Sequence, residues 1–342
     1  MHSPQSLSYK CIIATSDKNK EGRVMAQFAL NKVDKLEIWT LEDNYVDLVS
    51  GDNSAMVTRA IPVKDMQITN SVLAEHGFSA IVTTTTKDKP RTMLFDFGFS
   101  EDVVARNAAA LGVDLTKVEV AALSHGHGDH FGGLAQVAAR IGKKGLGLVL
   151  HPAAFRRNRY MEPIQGLKFR MPPLEEENVE ASGFKVTKSK EPLLLLNGDV
   201  LFLGQIPRRT SFEKGLPYAF YEENGQSIWD PTEDDTALVM NLGSKGLVVL
   251  SGCAHSGIIN TVEYAREITG MNKMHAVMGG FHLTGPAFEP IIDETVKSMK
   301  RVGPDYVIPT HCTGRKAVLA FEKAMPGQFV ANMSGTKLTF LA

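Results

Sequence analysis

The sequence predicts an α/β fold of four layers, αββα, with two β-sheets face to face and helices on both outer faces. Two observations predict it. Each half of the chain reads as hairpin, helix, strand, and a fold of this kind buries the apolar faces of both sheets against each other. In both halves the apolar strands run into short loops rich in His, Gly and Pro, so polar chemistry gathers at the strand ends. The composition agrees: 43% of residues are hydrophobic and 22% charged, ordinary values for a globular chain. With 342 residues, residues 1–342 are expected to form one domain carrying an insertion.

The elements follow in order. Residues 21–33 read as a short helix, with Val24, Phe28 and Leu30 among polar neighbours. Leu36 to Leu41 alternates like a strand, and 44–75 is polar and irregular. Ser79 to Thr86 and Thr92 to Asp96 make a hairpin around Lys87-Asp88-Lys89-Pro90. A helix follows near Asp102 to Leu111. A strand from Val118 to Leu123 precedes the His-rich loop. A helix from Leu134 to Ile141 and a strand from Leu148 to Leu150 close the first half. Residues 152–235 hold eight prolines and several charge clusters; they read as an inserted lid over the site. From Thr236 the plan recurs. Strands Thr236 to Leu242 and Gly246 to Leu250 flank Gly243-Ser244-Lys245. A helix through Ile258 to Ile268 is stopped by Gly270. A strand from Met274 to Met278, a helix from Ile291 to Val302 and a strand from Tyr306 to Ile308 complete the pattern.

Bulk properties narrow the partners. A formal net charge of −1 gives no electrostatic reason to expect nucleic acid or an anionic membrane. No apolar run approaches the ~20 residues that span a bilayer, and Met1 to Lys10 lacks the apolar stretch of a signal peptide. The three cysteines, Cys11, Cys253 and Cys312, are too few for a disulfide framework. A reducing cytoplasm is therefore the expected location.

The run Ser124-His125-Gly126-His127-Gly128-Asp129-His130 carries the chemistry. The spacing His-x-His-x-Asp-His after a strand can present two pairs of ligands to two adjacent metal ions. Zinc takes imidazole nitrogen and carboxylate oxygen together, and manganese or iron tolerates the same set. Three more histidines follow apolar runs: His255 in Gly-Cys-Ala-His, His282 in Gly-Gly-Phe-His, and His311 in Pro-Thr-His-Cys-Thr-Gly. His125, His127 and His255, with Asp129, His130 and His311, supply the six ligands that two ions need. His282 is left as a spare ligand, a hydrogen-bonding partner of a ligand, or an acid/base group.

With these residues in view, the chain resembles the metallo-β-lactamase superfamily. The resemblance rests on the His-x-His-x-Asp-His loop, the Leu94-Phe95-Asp96 strand end and the duplicated halves. A longer ordered set follows: Glu75 to Ser79, Leu123 to Gly133, Gly204 to Arg208, Asp234 to Leu238, Leu250 to Gly257, Gly279 to Leu283 and Thr310 to Gly314. Together these resemble the branch named for the dihydropterin-type synthase of methanopterin biosynthesis. That branch implies joining a dihydropterin methyl diphosphate to a ribofuranosylaminobenzene phosphate. The chain departs from the pattern in three places. Cys253 stands where the superfamily usually has a bridging Asp, which implies unequal affinities for the two ions. Gln205 stands where the branch usually has Glu. About 35 residues precede the usual first strand.

The resemblance implies a metal-dependent enzyme, hydrolase or synthase, acting on a small phosphorylated or pterin-like substrate through two divalent ions. Two close cations polarise phosphoryl or carbonyl oxygens and acidify water. Asp129, Asp96 and His282 are the catalytic candidates. Asp96 would orient a ligand histidine, or merely cap the next turn. Arg208 and Arg209 would bind phosphate, Arg208 by preference, or form a solvated charge run. His76 and Asp235 would line the substrate pocket. Two other readings are weighed. A redox or sensor protein is disfavoured because oxygen-reducing relatives have Glu where this chain has His127, and carry a flavin domain. A nuclease is disfavoured because no Lys/Arg stripe is present.

Overall fold

The computed structural model describes residues 13–18, 24–61, 63–68 and 71–342. The first sheet collects β1 (Lys35–Glu42), β2 (Ser79–Thr86), β3 (Lys89–Phe95), β4 (Val118–Ala122), β5 (Leu146–Leu150) and β6 (Phe184–Lys188). The second collects β7 (Leu193–Leu195), β8 (Val200–Phe202), β9 (Ala237–Asn241), β10 (Leu247–Ser251), β11 (Met274–Gly280) and β12 (Tyr306–Thr310). The last strand, β13 (Lys337–Leu341), returns to the first sheet and pairs antiparallel with β1. The orders are β6-β5-β4-β3-β2-β1-β13, continued by Val57–Thr58, and β7-β8-β9-β10-β11-β12.

Alternation along these strands builds the layers. Ile38, Val82, Phe95 and Val120 of the first sheet pack against Leu238, Met240, Leu250 and Met278 of the second, all buried. The opposite face of the first sheet is covered by α1 (Val103–Leu111) and α2 (Leu134–Ile141), through Val104, Ala108, Val137 and Ile141. The outer face of the second is covered by α3 (Ile258–Thr269), α4 (Ile292–Val302) and α5 (Arg315–Ala324), through Ile258, Val262, Met299 and Phe321. This is the expected αββα sandwich. Left-handed glycines stop the helices where the sequence placed them, Gly112 after α1 and Gly270 after α3. The Lys87-Asp88 turn has φ of 50° and 59°, the double left-handed geometry that suits a two-residue hairpin.

Two expectations are corrected. The helix over 21–33 does not form where the chain is described: Val24–Phe28 is a strand paired antiparallel with Ile13–Lys18. A short isolated helix is marginal, whereas an antiparallel partner satisfies the backbone at once. Residues 21–23 lie outside the described residues. The stretch 152–235 is also not one lid. Its middle supplies β6 to the first sheet and β7 and β8 to the second. Only Arg159–Ile164, Leu167–Arg170, Ala219–Glu223 and Gln226–Trp229 form a separate four-stranded sheet. Helix α5 and strand β13 were not expected at all.

Strand direction fixes the site. β3 runs parallel to β4, and β10, β11 and β12 run parallel to one another. Their C-terminal ends therefore share one edge of the sandwich. The sheets converge there: a Cβ on Gly252, just after β10, would lie 2.2 Å from the Ser124 hydroxyl oxygen after β4. Only glycine permits that approach. No helix among the described residues is long and apolar enough to cross a membrane.

Candidate metal centre

Four strands end in a non-glycine residue of positive φ at or just past their last position. These are Asp96 after β3 (61°), Ala254 after β10 (54°), His282 after β11 (44°) and His311 after β12 (46°). Each such residue costs about 1–3 kcal/mol and persists only where the surroundings enforce it. Here the strained turns aim side chains at one point.

Two ligand groups meet at that point. His125, His127 and His255 have ring nitrogens within 4.8 Å of one another, and so have the ligand atoms of Asp129, His130, Cys253 and His311. His125 Nε2 and His255 Nε2 stand 3.2 Å apart. His311 Nε2 lies 3.2 Å and His130 Nε2 3.7 Å from Asp129 Oδ2. The structure thus brings together all six residues expected as ligands. It adds a seventh: Cys253 Sγ is 3.2 Å from His130 Nε2. Cys253 also forms a third group with His255 and His282, so its sulfur sits between the two sets.

The electrostatics suit cations. Burial holds His125 and His255 well below the usual imidazole range, reinforced by His130 beside the first and His282 beside the second. Burial and the Arg159 guanidinium bring His127 down to about 4. Three neutral imidazoles are the protonation state that ligation needs. For Asp129, burial opposes ionisation, but His130 and His311 outweigh it and hold the carboxyl well below the usual range. Burial would likewise depress His130, yet Asp129 and Asp96 push it up to about 9. Nε2 of His127, Nε2 of His311 and Nδ1 of His255 are buried without a hydrogen-bond partner. Orphaned polar atoms of this kind cost about 1–3 kcal/mol each. Two of the three, His127 Nε2 and His311 Nε2, lie in the two clusters with lone pairs a cation can take. The donor set therefore fits one or more divalent ions.

Outer contacts orient the ligands. Asp96 Oδ2 lies 2.7 Å from His130 Nδ1, and its Oδ1 accepts the Ser124 N–H at 2.7 Å. This carboxylate fixes which His130 nitrogen faces the cluster. The Asn44 amide oxygen does the same for His311 Nδ1 at 3.1 Å, while Asp43 accepts the His311 N–H at 2.8 Å. Asp234 accepts the N–H of Gly126, between His125 and His127, at 2.7 Å. Arg159 clamps Asp234 through both Nη atoms, at 2.6 and 3.0 Å. Asp43, Asn44, Asp234 and Arg159 were not singled out in these roles. Asp43 and Asn44 lie in sequence beside the end of β1, far from every ligand motif.

The expected substrate residues divide. His76 stands at the rim, its Nε2 3.8 Å from Asp129 Oδ2 and its ring 4.8 Å from that of His311. Arg208 donates to the carbonyls of Pro231 and His255, the latter at 3.2 Å, so it braces the His255 loop. Arg209 turns away and pairs with Glu267 on α3, because neighbours in an extended segment face opposite sides. Asp235 is fully buried and accepts the Ser256 N–H at 2.8 Å. It is a strut of the His255 loop. Gln205 is exposed and outside the ligand groups. His282 lies with its ring 4.3 Å from that of His255 and its Nδ1 without a partner.

The loop bearing Arg208 is tied to α3 by Glu213. Its carboxyl accepts the N–H of Ile259 and of Asn260, each at 2.9 Å, and burial raises it from 4.5 to about 6. An acid raised on folding stabilises the fold fully below its unfolded value, and that contribution is lost as pH rises through the folded value. Glu213→Gln keeps an acceptor oxygen and removes the ionisation. Relative to this variant, wild-type protein should lose about 2 kcal/mol between pH 4 and 7. Urea unfolding at several pH values checks this, and parallel curves would refute it.

The family model of the metallo-beta-lactamase superfamily matches residues 86–311. The chain belongs to the metallo-β-lactamase superfamily. It is 30% identical to the 7,8-dihydropterin-6-methyl-4-(beta-D-ribofuranosyl)-aminobenzene-5'-phosphate synthase of Methanocaldococcus jannaschii, over 91% of this chain and 99% of that one. The crystal structure of Tm1679, a metal-dependent hydrolase of the same superfamily, matches with a TM-score of 0.68 and 27% identity. The match covers 90% of this chain and 100% of that one.

Proposed function

We propose that the chain is a metal-dependent synthase with a dinuclear centre, joining a dihydropterin-type diphosphate to a small phosphorylated aromatic partner. The observation that carries the reading is the near end-to-end likeness to the methanopterin-type synthase, combined with two ligand groups that share one edge. His125, His127 and His255 would hold one ion; Asp129, His130 and His311, with Cys253, would hold the other. Divalent ions held there supply polarisation of a phosphoryl oxygen and stabilisation of the charge on a departing diphosphate. Asp129, kept ionised by His130 and His311, counters the charge gathered at the centre. Asp96 keeps His130 in register. His282, with a free Nδ1 beside the cluster, is placed to take the proton that the nucleophile releases. Arg208, which donates to the His255 carbonyl, would steady a phosphate with its remaining N–H groups.

Hydrolysis is the second reading, favoured by the likeness to Tm1679. One assay separates them. Purified protein is given the pterin diphosphate with and without the aromatic amine partner, and both products are followed. Under the synthase reading, diphosphate release requires the partner and yields the joined product. Release that is unchanged without the partner would establish the hydrolase. A metal count on dialysed protein accompanies the assay, with about two equivalents expected.

A further inference from the structure

Beside His311, on the side of α5, lies a cavity of ≈ 460 Å³. Its volume falls within the usual ~300–1,000 Å³ of small-molecule sites. The floor is Thr310 and His311 at the end of β12, and one wall is the Asn44-Tyr45 loop. The other wall is one face of α5: Arg315, Val318, Leu319 and Glu322, at the i, i+3, i+4, i+7 spacing that shares a helix side. Three features ask for a ligand. Tyr45 and Leu319 are 55% and 47% exposed, two large apolar surfaces facing one hollow. The Thr310 hydroxyl is buried, with the residue only 3% exposed, and has no hydrogen-bond partner. Arg315 forms no ion pair with another described residue, whereas its neighbour Lys316 pairs with Glu289.

We propose that this cavity binds the aromatic, phosphate-bearing partner substrate, with its ring between Tyr45 and Leu319 and its anion on Arg315. The Thr310 hydroxyl would donate to or accept from a polar substituent of the ring. The identity of the ligand rests on the synthase reading; the site itself rests on the cavity. Placement against His311 brings a ligand held here to the edge of the metal centre, where a nucleophile is needed. Glu322, about two turns along α5 from Arg315, supplies an acceptor for hydroxyl groups such as those of a sugar.

The test uses metal-free full-length protein, so that anions cannot bind through ions, and phenyl phosphate as the probe in calorimetry. Inorganic phosphate and phenol serve as the anion-only and ring-only controls. Phenyl phosphate should bind more tightly than either control. Arg315→Ala should weaken it about tenfold or more, as expected for a lost charge-assisted hydrogen bond. Leu319→Asn should weaken phenyl phosphate and leave inorganic phosphate unchanged. Thr310→Val should leave unfolding unchanged, since the hydroxyl has no partner to lose. Equal binding to wild type and to the Arg315 and Leu319 variants, or no binding at all, overturns the proposal. In the synthase assay the same two surface variants should raise KM for the aromatic partner and leave KM for the pterin diphosphate unchanged. Absence of condensation in wild type would defeat the synthase reading while the binding result still decides the cavity. Condensation with KM unchanged in the variants would defeat the cavity assignment alone.

Discussion

Asp129→Asn should lower turnover by on the order of 10³-fold, because the ion proposed at its group, worth several kcal/mol of charge stabilisation, would lose its carboxylate ligand. It should also cut the retained metal to about one equivalent. The side chain projects from the short turn Gly128–Phe131 and keeps 18% of its area exposed, so the substitution opens no cavity. The variant should fold, which circular dichroism and unfolding curves establish before activity is read. The effect is specific to one ligand group. His125, His127 and His255 are untouched, and their ion should survive dialysis. A variant that keeps wild-type activity and two equivalents of metal would remove Asp129 from the centre and refute the dinuclear mechanism. Cys253→Ser sharpens the comparison. Its sulfur lies beside His130 Nε2 at 3.2 Å, and cobalt-substituted wild type should show a thiolate-to-metal absorption that the serine variant lacks.

Much of this was legible in the residues because apolar periodicity and strand-end histidines report local geometry. Val118 to Leu123 followed by His-x-His-x-Asp-His could be placed without a structure, and so could His255, His282 and His311. The direction of parallel strands then gathers them at one edge. What could not be read was long-range. The strand Val24–Phe28 depends on a partner at 13–18, and β13 depends on β1, about 300 residues earlier in the chain. The role of Asp43 and Asn44 depends on a loop reaching His311 from the far end of the sequence. Arg209 and Asp235 looked like ligands for a substrate because charge in a motif carries no sign of its partner. Glu267 and the Ser256 N–H, which occupy them, became visible only in the fold. The stretch 152–235 misled through its prolines: all but Pro163 lie outside its strands, while Phe184–Lys188 and Val200–Phe202 between them are strands of the two sheets.

The largest expected loss of stability comes from Asp234→Ala. Arg159 is only 2% exposed and lies between two buried carboxylates, Asp234 and Asp230, with Nε 2.8 Å from Asp230 Oδ2. Although burial opposes its charge, the Arg159 guanidinium holds Asp234 well below the usual carboxylate range. A depressed carboxyl contributes stability above its unfolded value, and that contribution is lost as pH falls through the folded value. Removing one member of a buried ion network leaves its partner charged and underpaired, at a cost of about 3–5 kcal/mol. Asp234→Ala also leaves the Gly126 N–H without its acceptor. Gly126 has no freedom to compensate, because even a Cβ there would lie 2.1 Å from the Ala154 carbonyl oxygen. The loop carrying His125 and His127 therefore loses its anchor together with the charge pair. Asp234→Asn separates the two contributions, since its amide oxygen can still accept from Gly126 while the charge is gone. The expected order of stability at neutral pH is wild type, Asn, Ala, with the gap between wild type and Asn closing in acid. Affinity for the first ion should fall in Ala more than in Asn. If Ala unfolds at the wild-type denaturant concentration, the network is not what holds the ligand loop, and the link between Arg159 and the metal centre fails.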